Sequence, residues 1–141
     1  MKKLILLLLS IILFASCDTD NPKILLFITD DSRDLELMLT KEVIVMKEKL
    51  EQSGFKVAIA SLSGEPFSVD SIVVKPHLKL RDVIISDYYG YIFPCMAPPW
   101  EKIYDSNSEV VAFIKKASME GKPMASQTLS VADFAKAGVL V

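Results

Sequence analysis

The stretch from Ile24 to Ile28, an unbroken apolar run between Pro22 and the polar Thr29-Asp30-Asp31, most narrows what this chain can become. A strand with one face in water alternates apolar and polar residues. A run without alternation suits a strand covered on both faces, as in parallel sheets. The next segment changes period. From Leu35 to Gln52, the residues Leu39, Val43, Met46 and Leu50 fall on one helical face, and Gly54 stands where such a helix is terminated. Phe55 to Ala60 is a second apolar run, so strand, helix and strand follow within about 40 residues and imply a right-handed βαβ unit.

The pattern continues with interruptions. Phe67-Ser68-Val69 and Ile72-Val73-Val74 flank Asp70-Ser71 and predict a small antiparallel excursion. Tyr91-Ile92-Phe93 reads as a strand that Pro94 ends, with Pro98-Pro99 stiffening the loop beyond it. Ser106-Asn107-Ser108-Glu109 has the form of a capping box ahead of Val110, Phe113, Ile114 and Ala117, and Gly121 closes that helix. Met124 to Gln127 is strand-like, and Leu129 to Ala137 reads as a helix stopped by Gly138. Strands alternating with helices give an α/β fold, a three-layer, mostly parallel, flavodoxin-like sheet. In such sheets function usually sits beyond the carboxyl ends of the strands.

The N-terminus carries a separate message. Lys2 and Lys3 precede Leu4 to Phe14, an apolar run broken only by Ser10. That length suits the core of an export signal and falls short of the roughly 20 apolar residues a bilayer span requires. Leu13-Phe14-Ala15-Ser16-Cys17 then resembles the bacterial lipobox, in which the cysteine thiol is acylated and the peptide before it is removed. The implied organisation is a signal peptide over 1–16, a lipidated tether over 17–22, and one α/β domain over 23–141. Acyl chains contribute about 0.8 kcal/mol per buried methylene, so a multiply acylated Cys17 holds the protein on a membrane without a spanning helix. The expected location is the bacterial cell envelope, on a membrane facing the periplasm or the exterior.

Composition excludes several function classes. Lys2 and Lys3 are two of the sixteen basic residues, all eighteen acidic residues follow them, and the processed chain has a formal charge of −4. No basic tract remains to argue for nucleic acid. With Cys17 acylated, Cys95 is the remaining thiol, so no internal disulfide framework is expected. One histidine, His77, and one thiol do not compose a zinc site, and nothing calls for a cofactor.

Three segments together resemble the ThiJ/PfpI family, a branch of the class I glutamine amidotransferase-like fold. Lys23-Ile24-Leu25-Leu26-Phe27 followed by Asp34-Leu35-Glu36-Leu37 resembles its first strand and the acidic start of its first helix. Tyr91-Ile92-Phe93-Pro94 resembles the strand entering its Pro-Gly-Gly turn. Gly121-Lys122-Pro123-Met124-Ala125 and Ala137-Gly138-Val139-Leu140 resemble the two ends of its nucleophile-bearing strand-turn-helix unit. The resemblance implies a cysteine at that sharp turn, where strained backbone and a helix N-terminus favour thiolate, with a carboxylate beside it and backbone N–H groups to hold an oxyanion. It also implies further strands and a closing helix beyond Val141, so the expected domain is shortened at its C-terminal end or completes its sheet as a homodimer.

Carried over residue by residue, Glu36 takes the carboxylate position and Thr128 the cysteine position. Leu129 and Ser130 replace the two residues after the nucleophile, and Cys95-Met96 replace the Gly-Gly pair. A hydroxyl is not activated by a carboxylate alone, so every departure weakens the inherited chemistry. Each candidate also has a plain structural role: Glu36 complements a helix dipole, Thr128 fills a strand-helix junction, Cys95 is a small buried hydrophobe, and Trp100 packs under a proline loop. The expected function is a lipid-anchored, catalytically degenerate domain that binds a small molecule or a protein partner near Glu36 and Cys95. The alternative is a divergent hydrolase or glyoxalase-like enzyme with Cys95 as nucleophile and Glu36 as its acid or base.

Overall fold

Strand β1 (Lys23–Phe27) buries every residue after Lys23, because it is central in the sheet and both faces of the sheet are covered. β2 (Lys56–Ser61) pairs it in register from Lys23 opposite Lys56 to Phe27 opposite Ala60. β6 (Gly90–Phe93) pairs the other edge, with Leu25 opposite Tyr91. With β5 (Leu78–Lys79) and β7 (Met124–Ser126) the sheet has the order β5-β2-β1-β6-β7, and every pair is parallel. The computed structural model describes residues 21–29, 31–69, 71–95, 97–99, 102 and 105–140. The expected signal peptide, Cys17 and the expected tether as far as Asp20 lie outside the described residues, as do Met96 and Trp100.

Alternate residues along β1 and Ile28 just after it enter two separate cores, which is why the run needed no polar positions. Leu26 and Ile28 join Leu39, Val43 and Ile59 on one face. Leu25 and Phe27 join Tyr91, Phe93, Phe113 and Phe134 on the other. Helix α1 (35–52) covers the first face with Leu39 and Val43 buried, as the period predicts. Its middle is unexpected. Met38–Val43 is a π-helical stretch in which the Ile44 N–H donates to Leu39 O, one residue wider than an α-turn. Gly54 ends α1 at φ +87°, a conformation that favours glycine.

β3 (Phe67–Val69) and β4 (Ile72–Val74) form the predicted antiparallel excursion, with Phe67 opposite Val74. Phe67, Val69, Ile72 and Val74 pack into the α1-side core. The segment from Lys75 to Tyr89 carried no readable period, and single contacts order it. His77 accepts a hydrogen bond at Nδ1 from the Ile59 N–H at 3.0 Å, and its own N–H donates to Ile59 O at 2.7 Å. Two 3₁₀ turns, Leu80–Asp82 and Ile85–Asp87, then bury Leu80 and Ile85. The Tyr91 hydroxyl donates to Ile85 O at 2.8 Å, and burial, the largest cause, raises its pKa above the ordinary value.

Helix α2 (Ser108–Met119) covers the second face through Val110, Phe113, Ile114 and Ala117. Its cap differs from the predicted box. Asn107, rather than Ser106, is the N-cap, and its side chain accepts from the N–H groups of Glu109 and Val110. An Asn oxygen reaches both amides, so Glu109 is not needed to complete the cap. β7 leads through a 3₁₀ turn, Thr128–Ser130, into α3 (Val131–Lys136), where one helix had been expected from Leu129. The predicted three-layer α/β architecture is present, and its five-stranded sheet is parallel throughout.

Candidate functional site

The register of β6 and β7 decides what meets at their carboxyl ends. Phe93 lies opposite Ser126, so Cys95 and Thr128 both stand two residues beyond the last paired position. Pro94, fully buried, has no N–H to extend the ladder and turns the chain out of the sheet. Cys95 follows with a free, half-buried thiol.

A carboxylate does reach this place, and it belongs to Glu42. Its Oε2 accepts a hydrogen bond from the Cys95 backbone N–H at 3.1 Å. Glu42 sits within the π-helical stretch, where the extra residue alters the helical phase and presents it beside the buried Leu39 and Val43. Glu36, the residue expected here, is solvent-exposed in the first turn of α1, a position suited to the helix dipole. Its main-chain oxygen accepts the Thr40 hydroxyl at 2.9 Å. The geometry thus brings Cys95 together with Glu42, and it joins no Glu36 side chain to Cys95. The legible signal was a carboxylate interrupting the apolar stripe of Leu39, Val43 and Met46.

Thr128 occupies the strand-helix turn at φ +52°, the one non-glycine residue with positive φ among those described. A β-branched residue in this region is an outlier, so the turn is strained. Its side chain is exposed, and its hydroxyl makes no hydrogen bond among the described residues. Two residues on, Ser130 is fully buried. Its hydroxyl lies 2.9 Å from Phe93 O and 2.7 Å from Gln127 O, and accepts from the Gln127 N–H at 2.9 Å. Ser130 therefore fastens the turn to the end of β6, a structural task that explains a hydroxyl at this position.

A cavity of about 310 Å³ opens beyond the carboxyl ends of β1 and β2, on the α2 and α3 side of the sheet. Its described lining includes none of Cys95, Glu36, Glu42 or Thr128. Asp133 of α3 lines it, and burial raises this carboxyl above its ordinary pKa against the opposing effects of a Ser106 hydrogen bond and the Lys136 charge. Sequence reasoning passed over Asp133 because an acidic residue in a short helix looks solvated. Among the described residues, no group of acidic, histidine and cysteine side chains could hold a metal ion, and no helix is long and apolar enough to cross a membrane.

Several solved structures with this fold are DJ-1, DJ-1 superfamily or ThiJ/PfpI domain proteins. A ThiJ/PfpI domain protein from Brachyspira murdochii superposes with a TM-score of 0.67 at 17% identity, covering 84% of this chain and 65% of that one. DJ-1beta of Drosophila melanogaster gives 0.63 at 21% identity, covering 84% and 62%. A two-domain protein from Anabaena variabilis, containing DJ-1/ThiJ/PfpI-like and ferritin-like domains, gives 0.64 at 19% identity over 84% and 33%. The chain therefore spans between a third and two thirds of the length of these neighbours. No protein-family model and no curated protein matches it.

Proposed function

We propose that the chain is exported, acylated at Cys17 and held on a bacterial envelope membrane, where its DJ-1/ThiJ/PfpI-like domain binds a small molecule or a protein without catalysing a reaction. The observation that supports binding over catalysis is the composition of the cavity: its described lining includes neither Thr128 nor Cys95. Two further features agree with it. Among the described residues Thr128 has no base bonded to its hydroxyl, and the Cys95 N–H, which would serve an oxyanion, is already donated to Glu42. The lipobox-like Phe14-Ala15-Ser16-Cys17 supports the anchor.

Two experiments test the two halves. Metabolic labelling with palmitate should mark the wild type, Cys17→Ala should abolish the label, and globomycin should block processing; an unlabelled, normally processed wild type refutes the anchor. Glyoxalase, peptidase and amidase assays should show no turnover above background. The competing reading is a cysteine-dependent hydrolase or glyoxalase-like enzyme, expected to pair Cys95 with Glu36; because Glu42 accepts the Cys95 backbone N–H while Glu36 is exposed, we assign Glu42 as the carboxylate of that reading. Turnover lost in both Cys95→Ser and Glu42→Gln, and kept in Thr128→Ala, establishes that reading instead.

A further inference from the structure

The cavity on the α2 and α3 side has a floor and a rim of different chemistry. Phe27, Leu62, Val110, Leu129 and Ala132 supply apolar floor and wall. Among the described lining residues are three carboxylates, Asp31, Asp105 and Asp133, and one cation, Lys102, and the Lys136 charge acts on Asp133 from outside the lining. At about 310 Å³ the space lies at the small end of ligand clefts, which run from about 300 to 1,000 Å³.

The N-terminus of α2 borders this cavity through Asn107 and Val110, and a bare helix N-terminus would favour an anion. Here the Asn107 side chain already takes the N–H groups of Glu109 and Val110, and an acidic rim surrounds the opening. Anion recognition is thus blocked by the donors' own partner and opposed by charge. Asp31 follows β1 and accepts the Thr29 hydroxyl, which aligns one carboxylate oxygen and leaves acceptor capacity for a second donor. Asp133 rises from the α3 side, half-buried, and an ammonium beside it would relieve the burial that now disfavours its charged form.

We propose that this cavity binds a small organic ammonium, an amine whose aryl or alkyl body lies on Phe27 and Leu129 and whose cationic head sits between Asp31 and Asp133. The proposal rests on the binding reading of the domain and gives it a ligand class. A charged hydrogen bond of this kind contributes about 1.5–3 kcal/mol, which corresponds to tenfold or more in affinity.

The test is calorimetric titration of the full acylated chain in detergent with three probes of similar shape: 2-phenylethylamine, 3-phenylpropanoate and 3-phenylpropan-1-ol. The amine should bind about tenfold or more tightly than either other probe. Asp133→Asn should cut amine affinity about tenfold while leaving the alcohol unchanged. Asp31→Asn, on a different element of the lining, should act in the same direction and keeps the test open if one variant fails to fold. Equal binding of the three probes, preference for the carboxylate, or no amine binding up to about 10 mM overturns the proposal. Such an outcome without turnover refutes the ligand class alone, whereas Cys95-dependent turnover refutes the binding reading.

Discussion

Thr128→Gly should stabilise the protein, although it deletes a side chain. At φ +52° an L-residue carries about 1–2 kcal/mol of left-handed strain, and the β-branch offers no compensation. The side chain is exposed and its hydroxyl is unbonded among the described residues, so its removal costs little. Glycine releases the strain but loses about 0.5–1 kcal/mol more backbone entropy on folding. The difference is a gain of about 0.5–1 kcal/mol, or about 2–5 °C in Tm for a domain of this size. Urea denaturation of the soluble domain beginning at Asp18 should show a higher midpoint at unchanged slope. Thr128→Ala keeps a Cβ and should change stability by less than about 0.5 kcal/mol. Gly121→Ala and Gly138→Ala provide the mirror case. Both glycines have positive φ, +67° and +70°, with open space around an added Cβ, so each variant should lose about 1 kcal/mol from conformation alone. A Thr128→Gly protein that unfolds at lower urea than the wild type would refute the strain argument.

Asn107→Ala removes the side chain that satisfies two amides of α2 and should cost about 1 kcal/mol by the same urea assay. Ser130→Ala should cost about 1 kcal/mol, because the buried hydroxyl's hydrogen bonds are lost while the Gln127 N–H still donates to Phe93 O at 3.0 Å; a neutral change would show that this backbone bond alone holds the turn to β6. Gly90→Ala would set a Cβ 2.8 Å from Pro123 O and should cost about 1–3 kcal/mol by prising β7 from β6, read as faster amide exchange at Tyr91 and Gln127. Asp133 supplies a pH test. Its folded pKa is raised, so the folded state binds this proton more readily than the unfolded chain, and stability falls as pH rises from 3.8 through the raised value. The stability of wild type relative to Asp133→Asn should decline across that window, and a difference independent of pH refutes it.

What could be read from sequence was whatever periodicity reports. β1, β2 and the bounds of α1 were legible because continuous burial and a helical stripe leave their mark on every residue. The β3-β4 hairpin was legible from paired short apolar runs around a polar dipeptide. The segment from Lys75 to Tyr89 was not, because it is ordered by isolated events, such as His77 standing in for a strand neighbour, that have no period. The site divides along the same line. Thr128 could be placed by its spacing between Gly121 and Gly138, and the structure sets it at the strained turn. The carboxylate nearest Cys95 could not be read, because the backbone hydrogen bonding that widens the helix at Met38–Val43 and brings Glu42 to the Cys95 N–H leaves no mark in the residue pattern.

The wide stretch at Met38–Val43 behaves as a gear with one tooth too many. Deleting a residue there returns the helix to ordinary pitch and rotates everything before the cut by about 100° relative to everything after it. Leu39 and Val43, both buried against β1, could not then keep their places together with Met38. Insertions and deletions at this spot are therefore penalised even though Lys41 and Thr40 face outward enough to tolerate substitution. The helix accepts changes of letter here far more readily than changes of length.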